Sequence, residues 1–197
     1  MLRDWLEDAW NGLAEIVIAN LLWLLLSLPL VTAAPAAAAL YHVTNRLAHG
    51  QEAGWRVFFQ GFKQHFWLSW RWLLLNLLAV AVLLANYLFY ARFRESWAAL
   101  AQGAFVGLAV LWAAIQVYVF PLLLEQSDRR LRTALRNSLV MYLRRPLLAL
   151  GVACTIGLLA YLTTLFVWPA WVAITAGLCA YLANRVVILI VGELLEE

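Results

Sequence analysis

Charge is what this chain lacks most. Only 13% of its residues are Asp, Glu, Lys or Arg, about half the share of a soluble domain. Every carboxylate reads as lying at a helix end or in a loop. A proton-driven transporter usually needs an intramembrane carboxylate or histidine as relay, so the pattern argues against a proton pump and leaves a passive or substrate-binding role open. Catalytic motifs are missing as well: the chain has no G-x-x-x-x-G-K-[ST] phosphate loop, no G-x-S-x-G elbow and no H-E-x-x-H pair. Its two cysteines, Cys154 and Cys179, both fall in apolar runs and are expected as small buried packing residues rather than a disulfide. A basic leader is lacking too. Asp4, Glu7, Asp8 and Glu15 occupy the first fifteen residues, so no cleavable signal peptide is expected and the first span should be retained.

Apolar runs are what the chain has in abundance. Hydrophobic residues make up 65% of its 197 residues, and the net charge of +3 comes from basic residues flanking those runs. Such flanking follows the positive-inside distribution of membrane proteins, so nucleic-acid binding is not expected. The expected fold is all-α: one polytopic transmembrane helical bundle spanning residues 1–197. It should contain about five full spans, one short helix after a Pro-containing break, and two amphipathic helices lying in the membrane plane.

The break organises the rest. From Asn20 to Tyr41 an apolar helix runs into Pro29, and Thr32 sits where an N-cap belongs, with Pro35 in the first turn of a second helix. Inside lipid a broken helix needs other protein to satisfy its freed backbone groups, which places the break at the bundle centre. A short amphipathic lead, Leu2 to Gly12, precedes a first span from about Leu13 to Leu28. The second helix either returns as a hairpin or bends on to the far side; the hairpin is favoured because Pro29 to Thr32 can reverse the chain. Trp55, Phe58, Phe59, Phe62 and Phe66 then form an aromatic stripe at helical spacing, with Lys63 beside it, the signature of a helix in the membrane plane. Two spans follow, about Trp67–Tyr90 and Trp97–Leu124, the second carrying Gly103 and Gly107 one turn apart. A second amphipathic helix, opened by Ser127, places Arg129, Arg132 and Arg136 on its polar side. The last two spans meet at a Trp168–Trp171 aromatic turn, and Ala173, Gly177, Ala180 and Asn184 form a small-residue packing stripe. The basic regions Arg46–Arg71 and Arg129–Arg145 are two spans apart and so should share one side, the cytoplasm, with the C-terminus.

Several blocks carry a family resemblance. Asn20-Leu21-Leu22, Ser27-Leu28-Pro29-Leu30-Val31-Thr32 and Pro35 through Tyr41 form the first; Phe58 through Phe66 form the second. Looser matches occur at Tyr118–Leu123 and Arg132–Leu139. Together they resemble the YesL-like family of small bacterial membrane proteins. The resemblance implies an integral protein without established activity, often encoded beside carbohydrate ABC-transporter genes.

Three sets of residues could carry function. Asn20, Thr32, Asn76, Asn86 and Gln116 are the neutral polar groups within the apolar spans; they serve either as interhelical hydrogen bonds or as walls of a polar site at the Pro29–Pro35 break. His42, Asn45, Arg46 and His49 share one helix face, as a solvated helix end or an anion-binding face. The two histidines sit two turns, or about 10 Å, apart, too far for joint metal coordination without a bend. Trp55, Phe58, Phe59, Phe62, Lys63, Arg129, Arg132 and Arg136 rest on lipid headgroups or dock a partner. His65 reads as interfacial. No metal, cofactor or enzymatic activity is expected. The bilayer, membrane-transporter subunits and a second copy of the chain are the expected partners. The leading reading is an accessory component of a membrane carbohydrate-transport system in the bacterial inner membrane, and the competing reading is a small transporter or channel.

Overall fold

The computed structural model describes residues 2–165 and 169–196, with side chains described for 12–163, 165 and 174–193. Eight helices occur among the described residues: α1 (Leu2–Ser27), α2 (Leu30–Ala48), α3 (Trp55–Gln64), α4 (Phe66–Tyr90), α5 (Ser96–Glu125), α6 (Leu131–Arg144), α7 (Pro146–Leu165) and α8 (Pro169–Glu196). No strand occurs among the described residues. Stretches of α4, α5, α7 (Pro146–Thr163) and α8 (Ile174–Glu193) are long and apolar enough to cross a bilayer, and Gly12–Ser27 is a shorter apolar helix.

α2 is the hub. Alanine favours helix and lets neighbouring backbones approach closely, and Ala34, Ala36, Ala38 and Ala39 are all buried. α1, α3, α4, α5 and α8 each pack against this one helix. Beyond α2, the Ala53 N–H donates to Glu15 at 3.0 Å, so α2 returns along α1 as a hairpin. A core cluster around Phe58, Leu40 and Val43 joins α1, α2 and α3. A second, around Tyr118, Phe120, Leu123 and Val187, joins α5 to α6, α7 and α8.

Local expectations change at five places. α1 runs unbroken from Leu2, so the amphipathic lead is the first part of the same helix and Glu15 lies within it, not at an end. α2 begins at Leu30 with Pro29 as its N-cap residue, which puts Pro35 inside the helix rather than in its first turn. Thr32 is accordingly no cap: its hydroxyl donates to the Leu26 and Pro29 carbonyls and ties the two helices across the turn. The break itself is at the surface, since Leu28, Leu30 and Val31 are 79%, 84% and 64% exposed. The central position belongs to the alanine run downstream, because small side chains rather than the break let five helices converge. Finally, α6 starts at Leu131 after Arg130, not at Ser127. Asp128 accepts from the Thr133 hydroxyl at 3.1 Å and leaves Arg129 in a turn outside the helix.

The Trp168 turn and the Ala173 side chain lie outside the described residues. Both cysteines are free thiols; Cys154 is exposed on α7 rather than buried, and Cys179 is partly covered. α7 bears an exposed thiol because few helices cover its outer face, where lipid serves as well as protein.

Candidate functional site

The five intramembrane polar residues do not converge on the break. Asn20 is fully buried and its side-chain oxygen accepts the Gly177 N–H of α8 at 3.0 Å. Asn76 and Gln116 form a clamp between α4 and α5. The Gln116 oxygen accepts from the Trp72 indole at 2.8 Å and from Asn76 at 3.3 Å. Asn76 in turn accepts from the Trp112 indole at 3.1 Å. Asn86 donates to the Val82 carbonyl of its own helix at 2.8 Å, and Thr32 stays at the hairpin tip. Apart from the Asn86 bond, which stays within α4, these are helix-pairing bonds in three separate places. Each such interhelical bond contributes about 0.6–2 kcal/mol, although the Gln116 side-chain nitrogen is buried without a partner among the described residues.

The polar face of α2 divides into two networks at one end of the bundle. In the first, Asn45 donates to Glu125 of α5 at 2.7 Å, and His49 Nε2 lies 3.6 Å from the same carboxylate. Asn184, fully buried on α8, donates to the Thr44 hydroxyl at 3.0 Å and to the Tyr41 carbonyl at 3.2 Å. The adjacent Arg185 donates to the Ala48 carbonyl at 2.8 Å. These contacts tie the end of α2 to side chains from α5 and α8, and Arg185 satisfies the Ala48 carbonyl, which no helical N–H reaches.

The second network is a histidine pair. His42 and His65 stand 23 positions apart in sequence, yet His65 Nε2 lies 3.4 Å from His42 Nδ1 and the ring centroids are 5.2 Å apart. His65 is 1% exposed, with its ring edge-on to Phe120. Gly61 makes the pairing possible. A Cβ there would fall 2.7 Å from the His42 side chain, so only glycine lets α3 lie across His42. Burial, then the charges of Arg46 and Arg129, lowers the His42 pKa below its usual 6.5. Burial, then His42 and Arg129, lowers that of His65 to about 4. Both rings are therefore neutral at pH 7, with one N–H shared between them. The ring nitrogens not used in the pair, His65 Nδ1 and His42 Nε2, are buried without a partner among the described residues, as is Arg46 Nε.

Arg129 faces this pair from the turn before α6. With its amide oxygen turned toward the guanidinium, Gln64 accepts from Arg129 at 2.8 and 3.2 Å. Arg129 has φ of 46°, the single left-handed non-glycine among the described residues, a conformation costing roughly 1–2 kcal/mol. The two basic regions do meet here, through Arg129 and Gln64. Two imidazoles fall short of the three or four ligands a metal centre uses. Among the described residues no group of three or more His, Cys, Asp or Glu comes together.

The surface and packing residues separate as clearly. Phe58 is fully buried against α2 while Trp55 is 57% and Phe59 38% exposed. Phe62 is half-buried and Lys63 exposed, so the stripe is split between core and surface. Arg132 and Arg136 are exposed on α6. Gly177 and Ala180 are buried, and a Cβ on Gly177 would meet Ile16 Cγ2 at 2.6 Å. Gly103 and Gly107 are exposed, and nothing comes within 4 Å of a Cβ at either; they pack no other helix among the described residues.

Sequence reading missed His65, Gly61, Glu125 and Asn184 as site residues. Their partners are 19 to 143 positions away, and helical periodicity reports only which face a residue shares. The one signal covering Gly61 and His65 was their place in the block Phe58–Phe66. A search of curated proteins and a search of solved structures each returned no significant match. A family model described as "Protein of unknown function, DUF624" matches residues 16–87, the segment that contains α2, α3, the histidine pair and most of α4, and over that segment the chain is similar to that family.

Proposed function

We propose that the chain is a non-enzymatic, YesL-like accessory protein of the bacterial inner membrane that binds a partner within a carbohydrate-transport system. In this reading its basic end and C-terminus lie in the cytoplasm. One observation carries it: the α4–α5 hairpin offers the membrane an unfilled apolar cleft. That cleft, of about 440 Å³, is lined by residues such as Leu75, Ala79, Val82, Leu108 and Trp112. Along α4 only Ser69 is buried by the chain itself, and the exposed Gly103 and Gly107 would admit a close-packed foreign helix. The internal polar residues are meanwhile engaged in pairing α1 with α8 and α4 with α5. The alternative, a transporter or channel with its site at the Pro29–Pro35 break, finds no support in these contacts, because Asn20, Thr32, Asn76 and Gln116 bond in different places.

The test is purification of the tagged protein from its host in mild detergent, with mass spectrometry of what accompanies it. Transporter subunits in stoichiometric yield, lost on Ala79→Phe substitution in the cleft, are the expected result. Recovery of the chain alone from both proteins would overturn the accessory reading.

A further inference from the structure

α8 packs against α1, α2 and α7, and in the notch this leaves between the α1–α2 hairpin and α7 lies a cavity of about 530 Å³. That volume is within the range of small-molecule sites. Trp23 lines it from α1, Tyr41 from α2, Ala160 and Thr163 from α7, and Cys179 from α8. Its α1, α7 and α8 residues belong to the apolar stretches Gly12–Ser27, Pro146–Thr163 and Ile174–Glu193, so the cavity lies at the depth of hydrocarbon. None of its described lining residues carries a charge.

Buried indole N–H and phenol O–H groups normally find partners, and between other helices of this bundle they do. The Trp72 and Trp112 indoles donate to Gln116 and Asn76. Tyr118 and Tyr142 donate to the Ala149 and Ala114 carbonyls, each at 2.7 Å. Trp23 and Tyr41 are half-buried at the cavity wall, and neither the indole N–H nor the Tyr41 hydroxyl makes a hydrogen bond among the described residues. Tyr41 is held by its ring, whose centroid is 5.3 Å from that of Phe120. The Thr163 hydroxyl, by contrast, donates to the Leu159 carbonyl at 2.7 Å and lies 3.2 Å from the Thr175 hydroxyl. The α4–α5 cleft also differs, because the Trp112 indole at its wall is already engaged by Asn76.

Two donors without acceptors, in an uncharged cavity at hydrocarbon depth, define the occupant. An indole donates only, and a phenol free of partners gains most from an acceptor, so the occupant brings acceptor oxygens. An ionic headgroup would lose its hydration here with nothing to replace it. A phospholipid's ester groups are kept at the interface by that headgroup, whereas an uncharged lipid can carry its carbonyls inward. We propose that the cavity binds one uncharged diacyl lipid, its ester carbonyls accepting from the Tyr41 hydroxyl and the Trp23 indole while an acyl chain lies along the apolar wall. The site stands whether or not the chain serves a transporter.

The test is native mass spectrometry of the detergent-purified protein titrated with three lipids of equal chain length. These are dioctanoylglycerol, its diether analogue, which lacks both carbonyls, and the corresponding phosphatidic acid. One dioctanoylglycerol per chain should bind saturably, about two- to tenfold tighter than the diether and tighter than the phosphatidic acid. Ala160→Phe fills the cavity from an exposed position on α7 and should remove saturable binding. Tyr41→Phe keeps the ring against Phe120 and should narrow the preference for ester over ether. Ala79→Phe, in the α4–α5 cleft, should leave all three affinities unchanged, which separates this site from the partner-binding surface. No saturable binding, equal binding of the three lipids, binding that survives Ala160→Phe, or an ester preference unchanged in Tyr41→Phe would overturn the site.

Discussion

Asn20 and Gly177 join the first and last helices through a hydrogen bond at a point where no side chain fits. The Asn20 oxygen accepts the Gly177 N–H at 3.0 Å, and a Cβ on Gly177 would stand 2.6 Å from Ile16 Cγ2 and 3.4 Å from the Ile16 carbonyl. Close approach and hydrogen bond thus depend on each other. Gly177→Ala should lower stability by about 1–3 kcal/mol, read as the midpoint of thermal unfolding in detergent. Because the clash is with a β-branch methyl, Ile16→Leu should restore part of the loss in the double variant.

Asn184 is the second buried junction, donating to Thr44 Oγ1, the Tyr41 carbonyl and the Ala180 carbonyl of its own helix. Asn184→Leu should destabilise by about 1–3 kcal/mol, since it leaves the buried Thr44 oxygen without its donor. Combined with Thr44→Val the loss should be less than additive, because the two changes remove the same bond. Chemical unfolding of the single and double variants measures the coupling.

Gln116 holds two indole-bearing turns together by accepting from Trp72 and Asn76. Replacement by Leu should cost about 0.6–2 kcal/mol and alter the fluorescence of Trp72. A Gln116→Leu protein with unchanged emission and unchanged melting would show that the clamp does not form.

The histidine pair makes stability depend on pH with a definite sign. Folding lowers both pKa values from 6.5, that of His65 to about 4, so the unfolded chain binds more protons between those limits. Stability is then full above about 6.5 and falls as pH drops toward 4. The unfolding midpoint should decline over that window. His65→Gln should flatten the decline.

Gly103 and Gly107 give the opposite kind of prediction. With nothing within 4 Å of either position, Gly103→Leu should leave the isolated protein's stability within about 0.5 kcal/mol or raise it slightly. Any loss should be confined to recovery of a membrane partner, measured in the same purification that tests the accessory reading.

Much of this architecture was legible in the residue order. Long apolar runs bounded by arginine and tryptophan mark α4 and α5 without ambiguity, because a bilayer demands continuous apolar length and a helix satisfies its own backbone. The break at Pro29 was legible too, since proline cannot continue the ladder and the following alanines can resume it, but that the chain reverses there is decided by the packing of α2 along α1. Helix starts were read less well. Thr32 and Ser127 have the right chemistry for caps, but chain reversal at Pro29 and the αL turn at Arg129 moved both caps, to Pro29, three residues toward the N-terminus, at α2 and to Arg130, three toward the C-terminus, at α6.

Residue order by itself settles that this chain is helical and apolar, because helix formation and lipid solvation depend on local pattern and length. It says which residues share a face and nothing about what lies across from them. Only the packed bundle decides that Asn20 meets Gly177, that Asn184 closes the end of α2, and that His65, apparently an interfacial residue, is buried against His42. Those pairings depend on where Gly61, Gly177 and the alanines of α2 let helices touch, and close approach is set by the shapes of two surfaces together.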